Sequence, residues 1–147
     1  MTHRRWTGAS GNICNVPWSA DLKGYTVKVA SQADLDTAFS GCTTINGNIW
    51  INDTYTGGFN LSDVVSMNGS IQVYNYGAGL TFMELDNLIT FSGLFYIQDS
   101  LHLKNISMAS AVFMSYIQLE SIYSGTNLDF PQLVNVTTFE IYGQFGR

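Results

Sequence analysis

Charge is scarce in this chain. Asp, Glu, Lys and Arg make up only 12% of its 147 residues, about half the share of an average soluble domain. Helical bundles need charged outer faces, so the composition argues against that class. Six Lys and Arg against eleven Asp and Glu leave a net charge of −5. No basic patch exists to hold phosphates, which argues against a nucleic-acid partner. Histidine is nearly absent too, with only His3 and His102. Together with two cysteines, two distant histidines cannot form a structural zinc site. Long apolar runs are missing: the longest candidate, Met108 to Leu119, is interrupted by Ser110, Ser115, Tyr116 and Gln118. It falls short of the roughly 18 to 20 residues of a membrane span. The start, MTHRRWTGASGNICN, has no apolar h-region of a signal peptide, and no lipid-anchor tail is read at the other end. Gly-x-Ser-x-Gly, HExxH and P-loop motifs do not occur.

What is present is short, neutral and polar, or aromatic. There are 12 Asn, 14 Ser and 13 Thr, and aromatics reach 14%. The aromatic share excludes disorder, and the polar set suits a β-rich, extracellular surface. Five glycosylation sequons start at Asn52, Asn60, Asn68, Asn105 and Asn135, where chance gives roughly two. Cys14 and Cys42 are either one disulfide or two buried thiols.

The chain repeats itself. Apolar-x-apolar triplets occur at Val27-Lys-Val29, Ile49-Trp-Ile51, Ile71-Gln-Val73, Phe95-Tyr-Ile97, Ile117-Gln-Leu119 and Phe139-Glu-Ile141, spaced 22 to 24 residues apart. A period in the twenties means a solenoid. An apolar residue and a glycine precede several triplets (Ile45 and Gly47, Met67 and Gly69, Phe91 and Gly93), and Phe113 with Ser115 takes the same place later. A second apolar set, Phe59 and Leu61, Leu80 and Phe82, Ile106 and Met108, Leu128 and Phe130, is expected inside as well. Val64, Leu85, Val112 and Leu133 then lead into the next coil. Stacking buries these patches in one continuous core. Ser31-Gln-Ala-Asp34 starts a short helix carrying Leu35, Ala38 and Phe39 on one face, stopped by Gly41. It would cover the open front coil.

The middle of each triplet faces outward, which gives a column of Lys28, Trp50, Gln72, Tyr96, Gln118 and Glu140. The next outward column reads Ala30, Asn52, Tyr74, Gln98, Glu120 and Tyr142. Aromatic rings stack on sugar rings while amides bond hydroxyls, so Trp50, Tyr74, Tyr96, Gln72, Gln98 and Gln118 are the candidate binding residues. Plain exposed β chemistry explains the same residues. A polysaccharide-cleaving rival would place Glu120 near Glu140. Yet there is no Asp-Asp pair, and Lys104 and Arg147 are the only basic residues after Lys28. No catalytic residue and no cofactor is expected.

The stretch Ser31-Gln-Ala-Asp-Leu-Asp to Gly41-Cys-Thr-Thr-Ile-Asn-Gly-Asn-Ile-Trp-Ile51 resembles the opening of a receptor L domain. The elements of that pattern are Cys42, Ile45, Gly47, Ile49 and Ile51. Within the family it looks most like the fungal GPI-anchored cell-wall organisation proteins of the sporulation-specific type. The resemblance runs from about Tyr25 to Ile141. It implies an all-β, right-handed single-stranded β-helix, and a non-catalytic role in fungal cell-wall organisation and integrity at the cell surface. Family members are longer, with a signal peptide, further coils and an anchor signal, so residues 25–147 are expected to be about six coils of 22 to 24 residues, cut short. Residues 1–24 are expected to be irregular. Cys14 and Cys42 are expected to form a bridge that ties this start to the first full coil. The alternative function is a soluble secreted module binding a glycan or protein partner through the outward face. End-to-end self-association through an uncapped last coil is also expected.

Overall fold

The computed structural model describes residues 11–73, 79–123 and 125–143. Among them are thirteen strands and one helix. In chain order they are β1 (Ile13–Asn15), β2 (Thr26–Val29), α1 (Gln32–Phe39), β3 (Thr44–Asn46), β4 (Asn48–Ile51), β5 (Thr56–Asn60), β6 (Ser66–Asn68), β7 (Ile71–Val73), β8 (Gly79–Glu84), β9 (Thr90–Gln98), β10 (Asn105–Ser107), β11 (Phe113–Glu120), β12 (Asn127–Asp129) and β13 (Asn135–Tyr142). All pairings between these strands are parallel, and the chain forms a β-solenoid of about five turns.

Three ladders make the walls. One runs β1, β3, β6, β9 and a second runs β2, β4, β7, β9; the long strands β9, β11 and β13 continue both. The third runs β5, β8, β10, β12. All six triplets stack in register, from Val27 over Ile49, Ile71, Phe95 and Ile117 to Phe139. Strand alternation turns the outer members of each triplet inward. Ile49, Ile51, Ile71, Val73, Phe95, Ile97, Ile117 and Leu119 are buried, each contributing about 1.5 to 3 kcal/mol. Phe139 and Ile141 keep the inward register but stay 43% and 44% exposed.

The glycine before the triplet marks a crowded corner. A Cβ at Gly69 would lie 1.8 Å from the Gly47 carbonyl oxygen, and one at Gly93 would lie 2.0 Å from that of Gly69. Gly47 and Gly69 also have φ of 138° and 151°, where a side chain is strained. The later coils escape this corner by losing a residue. Met114 pairs with Phe91 and Tyr116 with Leu94, so Ser115 alone spans what Ser92 and Gly93 span. The buried lead residue of that coil is therefore Met114 and not the expected Phe113, which is half-buried.

Other inward assignments also change. In the third ladder Gly57 pairs with Leu80 but Gly58 pairs with Phe82, leaving Thr81 as an extra residue. That bulge turns Phe82 outward, 36% exposed, and puts Met83 in the core instead. Val112 is exposed, with Ala111 buried in its place.

The front is closed by α1, which packs against β2 and β5 where a first strand of the third ladder would stand. The Ser31 hydroxyl caps the helix by accepting from the Asp34 amide, and the Asp34 carboxylate accepts from the Ala30 amide. Leu35 and Phe39 are buried, whereas Ala38 is exposed. The Gln32 carboxamide acts as a missing strand. Its Nε2 donates to the Asn60 carbonyl at 2.9 Å, and its Oε1 accepts from the Asn60 amide at 2.8 Å. Cys14 and Cys42 are joined by a disulfide with their Cα atoms 5.8 Å apart. It ties β1 to the chain leaving α1, and in the chain-entropy model is worth about 3 to 4 kcal/mol. Because β1 already pairs with β3, the first layer begins inside the stretch expected to be irregular.

Candidate binding face

The second ladder carries the predicted outward column in unbroken register: Lys28, Trp50, Gln72, Tyr96, Gln118 and Glu140. Gln98, Glu120 and Tyr142 align as the column beside it. Tyr74 lies outside the described residues. Layer stacking alone brings these side chains together, since each sits one strand spacing from the next.

The face is not uniform. At its front, Leu22, Thr26, Asn48, Ile49, Trp50, Ser70 and Gln72 line a cleft of about 230 Å³. That is below the 300 to 1,000 Å³ of sites for drug-sized ligands. The loop before β2 overhangs it: Ser19 and Gly24 pair antiparallel, and the Ser19 hydroxyl accepts from the Leu22 amide. The Lys28 ammonium stands 5.3 Å from the centre of the Trp50 ring, a cation–π contact. Asn48 and Ser70 are held by the backbone. Asn48 Oδ1 accepts from the Ser70 amide at 2.9 Å, and Ser70 Oγ accepts from the Leu94 amide at 3.0 Å.

Of the predicted residues, Trp50 and Gln72 line this cleft. Tyr96 pairs with Gln72 one layer beyond it and donates to Glu120 at 3.1 Å. Gln98 and Gln118 lie further along, away from the cleft. The sequence reading missed the column of Thr26, Asn48 and Ser70. It stands one strand alternation before the triplet's first outward residue, and its short polar side chains give no apolar signal. The reading also missed Trp18 and Tyr25, both 59% exposed and packed edge to face with ring centres 5.3 Å apart. Tyr25 lines a second, open hollow of about 420 Å³ with Asn15, Val16, Asn46, Gly47, Asn48 and Asn68. Asn48 borders both spaces.

The tail of the face is anionic. Glu140 accepts from Tyr116 and Tyr142, and these hydroxyls hold its carboxyl below the usual range. The Glu140 hydrogen bond in turn pushes Tyr142 up to about 12. A general acid in glycoside hydrolysis needs the opposite shift, a raised carboxyl. His102 is exposed. Among the described residues no cluster of three His, Cys, Asp or Glu could hold a metal, and no helix is long and apolar enough to cross a membrane.

The sequon asparagines occupy different settings. Asn68 sits in a ladder, donating to Asn46, which donates to Asn15, while Ser92 donates to Asn68. Asn52 donates to Thr54 of its own sequon at 2.7 Å. Asn105 accepts from Asn127 at 2.9 Å. Asn135 is exposed on β13, and Asn60 faces outward from β5.

No family model, no curated protein and no solved structure matches the chain.

Proposed function

We propose that this is a non-catalytic cell-surface or cell-wall protein that supports fungal cell-wall organisation, and that it meets wall glycan through the cleft beside Trp50. The observation that carries the binding part is the composition of that cleft: one aromatic ring beside Asn48, Ser70 and Gln72. A pyranose has apolar C–H faces and a rim of hydroxyls. An indole takes the first, and fixed amides and hydroxyls take the second. The volume suits one ring of a longer chain. The disulfide and the five sequons are compatible with an oxidising, extracellular setting. The wall assignment itself rests on the receptor L-domain resemblance.

A second reading is a soluble secreted module that binds a protein partner through the same side of the molecule. The exposed Trp18–Tyr25 pair favours it, since exposed aromatics anchor protein interfaces. Retention on insoluble wall polysaccharide separates the two. Trp50→Ala with Gln72→Ala should cut retention at least about tenfold, a loss near 1.4 kcal/mol, with a nearly unchanged melting temperature. Unchanged retention would reject the cleft. Retention that falls only with Trp18→Ala and Tyr25→Ala would move the contact to the neighbouring hollow.

A further inference from the structure

The hollow beside α1 holds one sequon that differs from the other four. We propose that Asn60 carries an N-linked glycan whose first sugar seats on the ring of Phe82. The proposal rests on the extracellular reading.

Phe59 is buried, so alternation turns Gly58 and Asn60 outward on β5. Gly58 pairs with Phe82 across the ladder, which makes Asn60 and Phe82 diagonal neighbours on one outward surface, within reach of a large side chain. The ring lies directly over Gly58: a Cβ there would be 2.0 Å from Phe82 Cζ. Met83 of the same strand fills the inward place. The bulge at Thr81 re-aims it. The result is an open hollow of about 490 Å³ lined by Gln32, Asp36, Gly58, Asn60, Ser62 and Phe82. Both the acceptor Asn60 and the sequon hydroxyl residue Ser62 are on its rim.

The side-chain amide of Asn60 makes no hydrogen bond among the described residues; only its backbone is engaged, by Gln32. The side-chain amides of Asn52 and Asn68 donate to Thr54 and Asn46, and Asn105 accepts from Asn127 through its Oδ1 without bordering the hollow. Asn135 is exposed but borders none of the hollows described above. Glycan transfer precedes folding, so the folded structure decides which attached glycan is accommodated and packed. In the transfer, the Asn60 carboxamide nitrogen attacks the anomeric carbon of a lipid-diphosphate-linked oligosaccharide. The C–N bond forms, the C–O bond to the lipid diphosphate breaks, and the nitrogen gives up one proton and keeps the other. The first sugar then has Phe82 for its C–H face. The Asp36 carboxylate, which accepts from Gln32 Nε2 at 2.8 Å through Oδ1, has Oδ2 left for a hydroxyl.

The test is to secrete the chain from a glycosylating eukaryotic host under a supplied leader, so that its native location does not enter the result. Peptide mapping should find Asn60 occupied. Ser62→Ala abolishes the sequon without changing the acceptor Asn60, and should lower the melting temperature by about 2 to 4 °C. In a Phe82→Ala background the same Ser62→Ala change should have less than half that effect, a coupling that the double-mutant cycle isolates. Phe82→Leu, which keeps bulk over Gly58 but lacks an aromatic face, serves if Phe82→Ala fails to fold. An unmodified Asn60 in folded secreted protein would overturn the proposal, and so would equal effects of Ser62→Ala with and without Phe82. If cell fractionation places the native chain inside the cell, the extracellular reading fails while this packing result stands.

Discussion

Tyr55 shows how much a single hydroxyl does here. It is buried, and its Oη donates to the Gly58 carbonyl at 2.7 Å. Burial, followed by the nearby Asp36 and Asp34 charges, pushes its pKa up to about 12. The folded pKa therefore lies above the unfolded value near 10. The stability this contributes is complete below pH 10 and is lost as pH rises through about 12. Tyr55→Phe should cost about 1 to 2 kcal/mol at pH 8, because Gly58 loses its donor. Urea titrations of both proteins should show that gap closing between pH 10 and 12. A gap that stays constant across that range would mean that Tyr55 ionises as freely in the folded protein as in the unfolded one.

At the scale of elements, the six triplets were legible because alternation and a near-constant period both mark them, and neither depends on distant context. The third ladder was not. Leu80-Thr-Phe82 reads as apolar-x-apolar, but one extra residue at the bulge exchanges the inside and the outside for everything beyond it. The same one-residue ambiguity placed Phe113 where Met114 stands. The cleft was half legible: Trp50 and Gln72 belong to the periodic column, whereas Leu22 comes from a loop whose overhang only the Ser19–Gly24 pairing creates. The capping helix was visible in Ser31 to Asp34, but the role of Gln32 was not, since nothing local shows that a carboxamide will meet Asn60 across 28 residues of chain. Gln32→Ala should cost about 1 to 3 kcal/mol by leaving a peptide of β5 without partners. It should also release the Asn60 amide to faster hydrogen exchange. A cost under about 0.5 kcal/mol, the size of an ordinary surface change, would show that water replaces the side chain without penalty.

At the largest scale, the described residues are asymmetric along the solenoid axis. Its front is closed by α1, the Gln32 clamp and the disulfide. In its last described layer Val134 is 74% exposed, beside the half-exposed Phe139 and Ile141, and β13 pairs only with β11 among the described residues. Among the described residues this layer leaves apolar side chains and a strand edge without a following layer, which favours association. The 147-residue chain should therefore fray from Phe139 onward as a monomer or pair through this layer. In a monomeric sample, amides of Ile117 to Leu119 should be well protected from exchange and those of Phe139 to Ile141 poorly protected; equal protection would contradict an open end.

The proposed contact with glycan is best tested by NMR. The uniformly ¹⁵N-labelled chain would be titrated with soluble oligosaccharides released from fungal wall, with the Trp50 indole signal assigned from Trp50→Phe. Saturable shifts of the Trp50 indole N–H and the Gln72 carboxamide, with the Gln118 carboxamide and the interior amides unmoved, are the expected result. Saturable shifts confined to other surfaces, or none at any concentration reached, would contradict a wall-glycan site beside Trp50.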